Sequence, residues 1–268
     1  MAFKLKNSNS SSTILPPNIP HIKYQFHIIG LSIILLIKSY LEIIKLKVPK
    51  GQILEQIVTI GFNTLPMVIL ITTFSGMVAS LETSYWLNQY GARDTVGSLI
   101  CLASVVEIAP VFVSFAIGAQ AGTAITAELG HMQITEQISA MRLSKVNPIN
   151  YLIAPRLVAI IYSLPISIII GAFSAIIGGM IIAYFHAHIE FSIFLDSVWR
   201  VLKFKDVFNS FIKAFLLSNY LIAIHTSFGL STRGGAKEVG IMTSLSTIWA
   251  TVGVVCLDAI LDYFMYVD

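Results

Sequence analysis

The sequence predicts an all-α, polytopic membrane protein, and three observations carry that expectation. Of its 268 residues, 56% are hydrophobic and only 12% charged, against roughly a quarter charged in soluble domains. The mean hydropathy is +0.80. Five segments have the length and apolarity of membrane spans, which need about 20 apolar residues. Between two of them lies a polar stretch, AELGHMQITEQISAMRLSKVNPINYLIAPRL, residues 127–157. A polar helix followed by Asn-Pro and Pro-Arg has to leave the hydrocarbon.

Each element follows in order. Residues 1–20 are Ser-, Asn- and Pro-rich without an apolar core, so they are expected to be a disordered tail rather than a cleaved signal peptide. Residues 21–50 are expected to form an interfacial amphipathic helix. Its uncharged run covers only residues 24–37, and Lys38, Glu42 and Lys45 then recur on one helical face. The alternative is a sixth, short span. Residues 51–268 form one domain with spans at about 57–81, 96–127, 157–187, 207–231 and 239–266. Pro66, Pro110 and Pro165 lie within spans, where proline kinks a helix.

Orientation follows the Lys/Arg bias of short loops. Lys4, Lys6, Lys23, Lys38, Lys45, Lys47 and Lys50 precede the first span. Arg142, Lys145 and Arg156 follow the second, and Arg233 and Lys237 the fourth. These three regions share one side, which the rule makes cytoplasmic or its organellar equivalent. Arg200, Lys203 and Lys205, after the third span, break the rule.

The polar stretch reads as an amphipathic helix from Thr126. Leu129, Met132, Ile138 and Met141 repeat at steps of three and six, with Glu128, Gln133, Glu136 and Gln137 as polar surface. Asn147-Pro148 ends it, because a residue before proline avoids the helical region. Pattern alone leaves a plain connecting helix open.

Three ionisable residues lie inside spans: Glu107, Lys213 and Asp258. Each is costly there, by about 2.5–3.5 kcal/mol at a helix centre, so such groups face a bundle interior or a cavity. Counting 1.5 Å per residue puts all three in the outer half of the bilayer. They are candidates for an intramembrane polar site, or for a structural ion pair such as Lys213 with Asp258. Gly118 and Gly122 form a G-x-x-x-G, whose small face lets helices approach closely, within the chain or across a dimer.

Other chemistry is not indicated. No G-x-x-x-x-G-K-[ST] occurs, so a P-loop for ATP is absent and no cofactor is expected in this chain. Cys101 and Cys256 lie in apolar runs, and His186-x-His188 lacks a third ligand of convincing spacing, so no metal is expected. The scattered basic residues argue against nucleic acid.

An ordered set of motifs narrows the function. E-I-A-P at 107–110, G-A-Q-A-G-T-A-I-T-A-E-L-G-H-M at 118–132 and T-E-Q-I-S-A-M at 135–141 are followed by Asn147-Pro148 and Pro155-Arg156. From about residue 57 to the end, the chain closely resembles the MlaE-type permeases of lipid (MCE/Mla) ABC transporters, including their plastid and cyanobacterial members. Val106 and Gln120 stand where that family often has arginine. The resemblance implies a homodimeric permease subunit of the bacterial inner membrane or plastid inner envelope. It implies a cytoplasmic P-loop ATPase partner carrying ATP and Mg, an MCE-domain substrate-binding protein on the far side, and lipid as cargo in a cavity at the dimer interface. It also implies that the cytoplasmic coupling helix, residues 128–141, docks in the ATPase through Glu128, Gly130, Met132, Thr135, Glu136, Gln137 and Met141. Two further readings stay open: an ion- or proton-coupled carrier using Glu107, and a scaffold that recruits partners.

Overall fold

The computed structural model describes residues 21–45 and 48–266. The expected tail, residues 1–20, lies outside them. All regular structure among the described residues is helical. The helices are α1 (His21–Ile44), α2 (Lys50–Ile60), α3 (Leu65–Gln89), α4 (Val96–Ala103), α5 (Ala109–Ile117), α6 (Thr123–Ile134), α7 (Gln137–Leu143), α8 (Ala154–Ala187), α9 (Phe191–Val201), α10 (Phe204–Ser231) and α11 (Ala236–Tyr266).

Six stretches are long and apolar enough to cross a membrane: Tyr24–Ile44, Lys50–Gln89, Arg93–Ile134, Ile149–Ala187, Phe204–Ser231 and Ala236–Tyr266. The last five coincide with the spans read from sequence. The first is α1, which by length and composition fits the alternative of a sixth span as well as an interfacial helix. The charges that argued for the interface gather at the end of α1, where Lys45 pairs with Glu42 at 2.9 Å. Residues 24–41 hold Lys38 as their one charge. Moreover, α1 runs antiparallel along the C-terminal half of α10. Tyr24 donates to the Ser231 carbonyl at 3.1 Å and Tyr40 to Asn219 Oδ1 at 2.5 Å.

The most closely packed pair of helices is α3 and α8, which run parallel. Gly76 lies against the backbone of Ala175, Gly178 against that of Thr73, and Ser80 donates to the Gly179 carbonyl at 2.8 Å. Any side chain at Gly76 or Gly178 would meet main chain. Small residues let the two backbones touch where there is no water to drive association.

The span from Arg93 to Ile134 is not one α-helix. It widens into π-type turns at Ser104–Ile108 and Gly118–Gly122, and a third such turn, Ile149–Ile153, leads into α8. Pro110 and Pro66 each sit in the first turn of a new helical segment, whereas Pro165 is inside α8. Proline in a first turn gives up an N–H that would have been orphaned anyway.

A helix absent from the sequence reading, α9, lies between α8 and α10. It is short and amphipathic. Phe194, Ser197 and Val198 are buried, and Ser98 of α4 donates to the Ser197 carbonyl at 2.7 Å.

Candidate functional site

One local backbone defect organises the first cluster. Pro110 has no N–H, so the carbonyls four and five residues before it, Val106 and Val105, lose their helical donor. Two side chains of α10 supply donors instead. Ser210 Oγ donates to the Val105 carbonyl at 2.5 Å and Lys213 Nζ to the Val106 carbonyl at 2.8 Å. The E-I-A-P motif therefore does two things: its proline exposes main-chain acceptors, and its glutamate stands beside them.

Lys213 is fully buried and faces three carboxylates. Asp262 lies at 2.6 Å, Asp258 at 3.0 Å and Glu107 at 3.7 Å from Nζ. An ammonium has three N–H donors, and Asp262, Asp258 and the Val106 carbonyl match them in number. Glu107 is left at ion-pair distance, its side chain 50% exposed. The structure thus brings together Glu107, Lys213 and Asp258, and adds Asp262. Asp262 lies one helical turn beyond Asp258, a spacing that already puts both on one face of a helix. The three carboxylates have oxygens within 4.8 Å of one another. Such donors hold hard cations, and here the ammonium of Lys213 is the cation among them.

Glu107 also lines an open cavity of about 560 Å³ with Lys203, Lys205, Asp206 and Tyr266. On the other side of the same turn, Val105 lines an apolar groove of about 340 Å³ between α8, α9 and α10.

The second cluster lies at the opposite ends of the spans, on α6 and α7. The segment expected as one coupling helix, residues 128–141, is two helices. α6 continues the span to Ile134, and the chain then turns at Thr135 and Glu136, with Glu136 in the left-handed region at φ 58°. Ile138 pins α7 to the body, while Leu143 projects with 86% exposure. Of the predicted residues, Glu128, Thr135, Glu136 and Gln137 are exposed, Met132 and Met141 are half-buried, and Gly130 is buried. Gly130 faces Thr232 and Val239, where a Cβ would come within 3.0 and 3.3 Å of their side chains. The exposed Leu143 was missed from the sequence, since an apolar residue on a helix is normally assigned to the core.

Glu128 accepts an ion pair from Arg156 at 2.6 Å. Arg156 is buried, and the pair bridges α6 to the first turn of α8. Beside it, Thr126 of α6 meets both His225 of α10 and Ser246 of α11 at 3.0 Å. Gly122 and Gly118 pack against α10 within the chain: Gly122 faces the ring of His225, and Gly118 faces Leu221. Gln120, where the family often has arginine, donates to the Asn63 carbonyl at 3.2 Å.

Among the described residues, six stretches long and apolar enough to cross a membrane, a buried lysine–carboxylate cluster between three of them and one projecting helical turn define a polytopic membrane protein of the permease class. The model of the family Permease MlaE matches residues 53–264, and the chain belongs to that family. It is similar to a probable ABC transporter permease protein of Synechocystis sp., 30% identical over 85% of this chain and 86% of the relative. It is also similar to the probable ABC transporter permease protein ycf63 of Pyropia yezoensis, 31% identical over 82% and 84%. A third relative, the chloroplastic protein TRIGALACTOSYLDIACYLGLYCEROL 1 of Arabidopsis thaliana, is 30% identical over 84% of this chain and 65% of its own length. This is a multi-pass integral membrane protein, and as a permease of ABC type it works with an ATPase.

Proposed function

We propose that this chain is the permease subunit of an ABC transporter that moves phospholipid or a related lipid between membranes. It acts as a homodimer in a bacterial inner membrane or a plastid inner-envelope membrane. An ATPase subunit grips α6 and α7 from the cytoplasmic or stromal side, and an MCE-domain protein meets the opposite face.

The observation that carries this reading is the α6–α7 element. In a chain this apolar, Thr135, Glu136, Gln137 and Arg142 form an exposed polar surface around the projecting Leu143. That surface is tied to the bundle by Ile138 and by the Arg156–Glu128 pair. A push on α7 would therefore reach α6 and α8 together. The cluster at Lys213 joins the second span to α10 and α11, where relative movement of helices would change what Glu107 faces. The permease does no chemistry in this scheme; nucleotide is hydrolysed by the partner.

The test is co-purification followed by transport. Glu136→Arg and Gln137→Arg, both at exposed positions, should leave the chain inserted while reducing ATPase capture and lipid transport. Full ATPase capture by both variants would overturn α6–α7 as the docking element. Transport that needs an ion gradient and no nucleotide would replace this reading with a carrier in which Glu107 titrates.

A further inference from the structure

Arg200, Lys203 and Lys205 remained unexplained by charge bias, and the fold puts the two lysines in the lining of one cavity, just after Leu202 in the chain, which lines another. The apolar groove follows α8 from Pro165 to Met180, about 22 Å at 1.5 Å per residue. This exceeds one leaflet, about half of a 30 Å core. Phe173 and Ile177 of α8, Leu195 and Trp199 of α9 and Phe211 of α10 line it, all substantially exposed. Its hydroxyl, that of Ser210, is already given to the Val105 carbonyl. The groove offers a ligand mainly apolar contact, with the indole N–H of Trp199 as a side-chain donor in its lining.

The second cavity is mixed: apolar Leu102, Val106, Val201 and Met265 line it together with charged Glu107, Lys203, Lys205 and Asp206. Leu202 and Val207 line the groove, while Lys203, Lys205 and Asp206, between them in the chain, line the second cavity. Glu107 is engaged with Lys213, and Asp206 is buried in the first turn of α10. Neither lysine has an ion-pair partner among the described residues.

α9 holds the two cavities in register. Phe191, Leu195 and Trp199 recur every four residues along one exposed face, and Trp is characteristic of the membrane interface. The opposite flank of α9 packs on α4. α9 thus forms a fixed rim over the groove, with the basic turn at its end.

We propose that this flank binds a membrane lipid with an anionic headgroup, one acyl chain in the α8–α9–α10 groove and the headgroup at Lys203 and Lys205. The inference deepens the lipid-permease reading and rests on it only for what the bound lipid is used for. It also accounts for two of the three basic residues on the wrong side of the bias: Lys203 and Lys205 face a headgroup rather than setting topology.

The test uses the full chain in phosphatidylcholine nanodiscs doped with a probe carrying a photoreactive acyl chain. The probe's headgroup is either phosphatidylglycerol or phosphatidylcholine. The phosphatidylglycerol probe should label groove residues roughly 25-fold more than the phosphatidylcholine probe, since each of the two lysines, near a membrane surface, contributes about fivefold in anionic lipid affinity. K203Q/K205Q should bring its labelling down to the phosphatidylcholine level, and Ala172→Trp, which fills the groove, should lower labelling by both. Equal labelling by the two probes, or labelling unchanged in K203Q/K205Q, overturns the proposal. Groove labelling that persists when the assembled complex transports no lipid would sink the permease reading and leave this site standing. Transport without preferential groove labelling does the opposite.

Discussion

Lys213 and Arg156 are both buried cations at opposite ends of the bundle, yet their surroundings are inverted. Lys213 has more acceptors than protons: three carboxylates and a carbonyl around one ammonium. Arg156 has more donors than acceptors. One nitrogen pairs with Glu128, while Nε and Nη1 are buried without a hydrogen-bond partner. The acids differ as well. Asp258 is buried with Lys213, whereas the Glu128 side chain is 56% exposed and keeps its access to solvent. The Lys213 cluster therefore depends on its cation to hold negative charge inside the membrane. The Arg156 pair is a tether whose acid stays solvated at the surface where a partner would dock.

The largest expected effect follows from that contrast. Lys213→Met leaves Asp258 buried and Asp262 half-buried with no cation, and breaking a buried pair in this way costs about 3–5 kcal/mol. The chain should fall sharply in membrane abundance. Adding Asp258→Asn and Asp262→Asn to Lys213→Met should restore much of it, because the uncompensated charge is then removed. If the triple variant is as poorly inserted as the single one, Lys213 acts through packing, and its difference from Arg156 is not one of charge balance.

Arg156→Met should cost less, about 1–3 kcal/mol. It strands a carboxylate that water can reach, and it also removes two unpartnered donors. Thermal unfolding in detergent, compared with Lys213→Met, is the measurement. Equal losses would mean that the exposure of Glu128 does not set the cost.

How much of this was readable from the chain depends on what forced it. The five main spans were legible because a bilayer demands about 20 apolar residues wherever they occur. Glu107, Lys213 and Asp258 were legible as a set because any charge in a span is conspicuous. The role of Pro110 was half legible: the motif was visible, but which side chains would answer Val105 and Val106 is fixed only once α10 packs there. Nothing in the spacing of Glu128 and Arg156 pairs them, for the same reason. The eleven residues of α9 were read as loop, because they are too few to span and mix charge with aromatics. α1 was assigned to the interface on Lys38, Glu42 and Lys45, and two of those charges neutralise each other.

The smallest effect separates docking surface from backbone need at one residue. Glu136 joins α6 to α7 with φ 58°, a conformation that costs an ordinary residue roughly 1–2 kcal/mol and glycine almost nothing. Glu136→Gly should therefore leave thermal stability within about 1 kcal/mol of the parent or slightly above it, while removing the carboxylate from the exposed turn. Glu136→Val keeps the strain, adds β-branching and should be less stable than Glu136→Gly. If the carboxylate contacts the ATPase, both variants lose capture to a similar extent although their stabilities differ. If capture follows stability instead, the shape of the α6–α7 turn is what the partner recognises, and the exposed acid is only its solvated face.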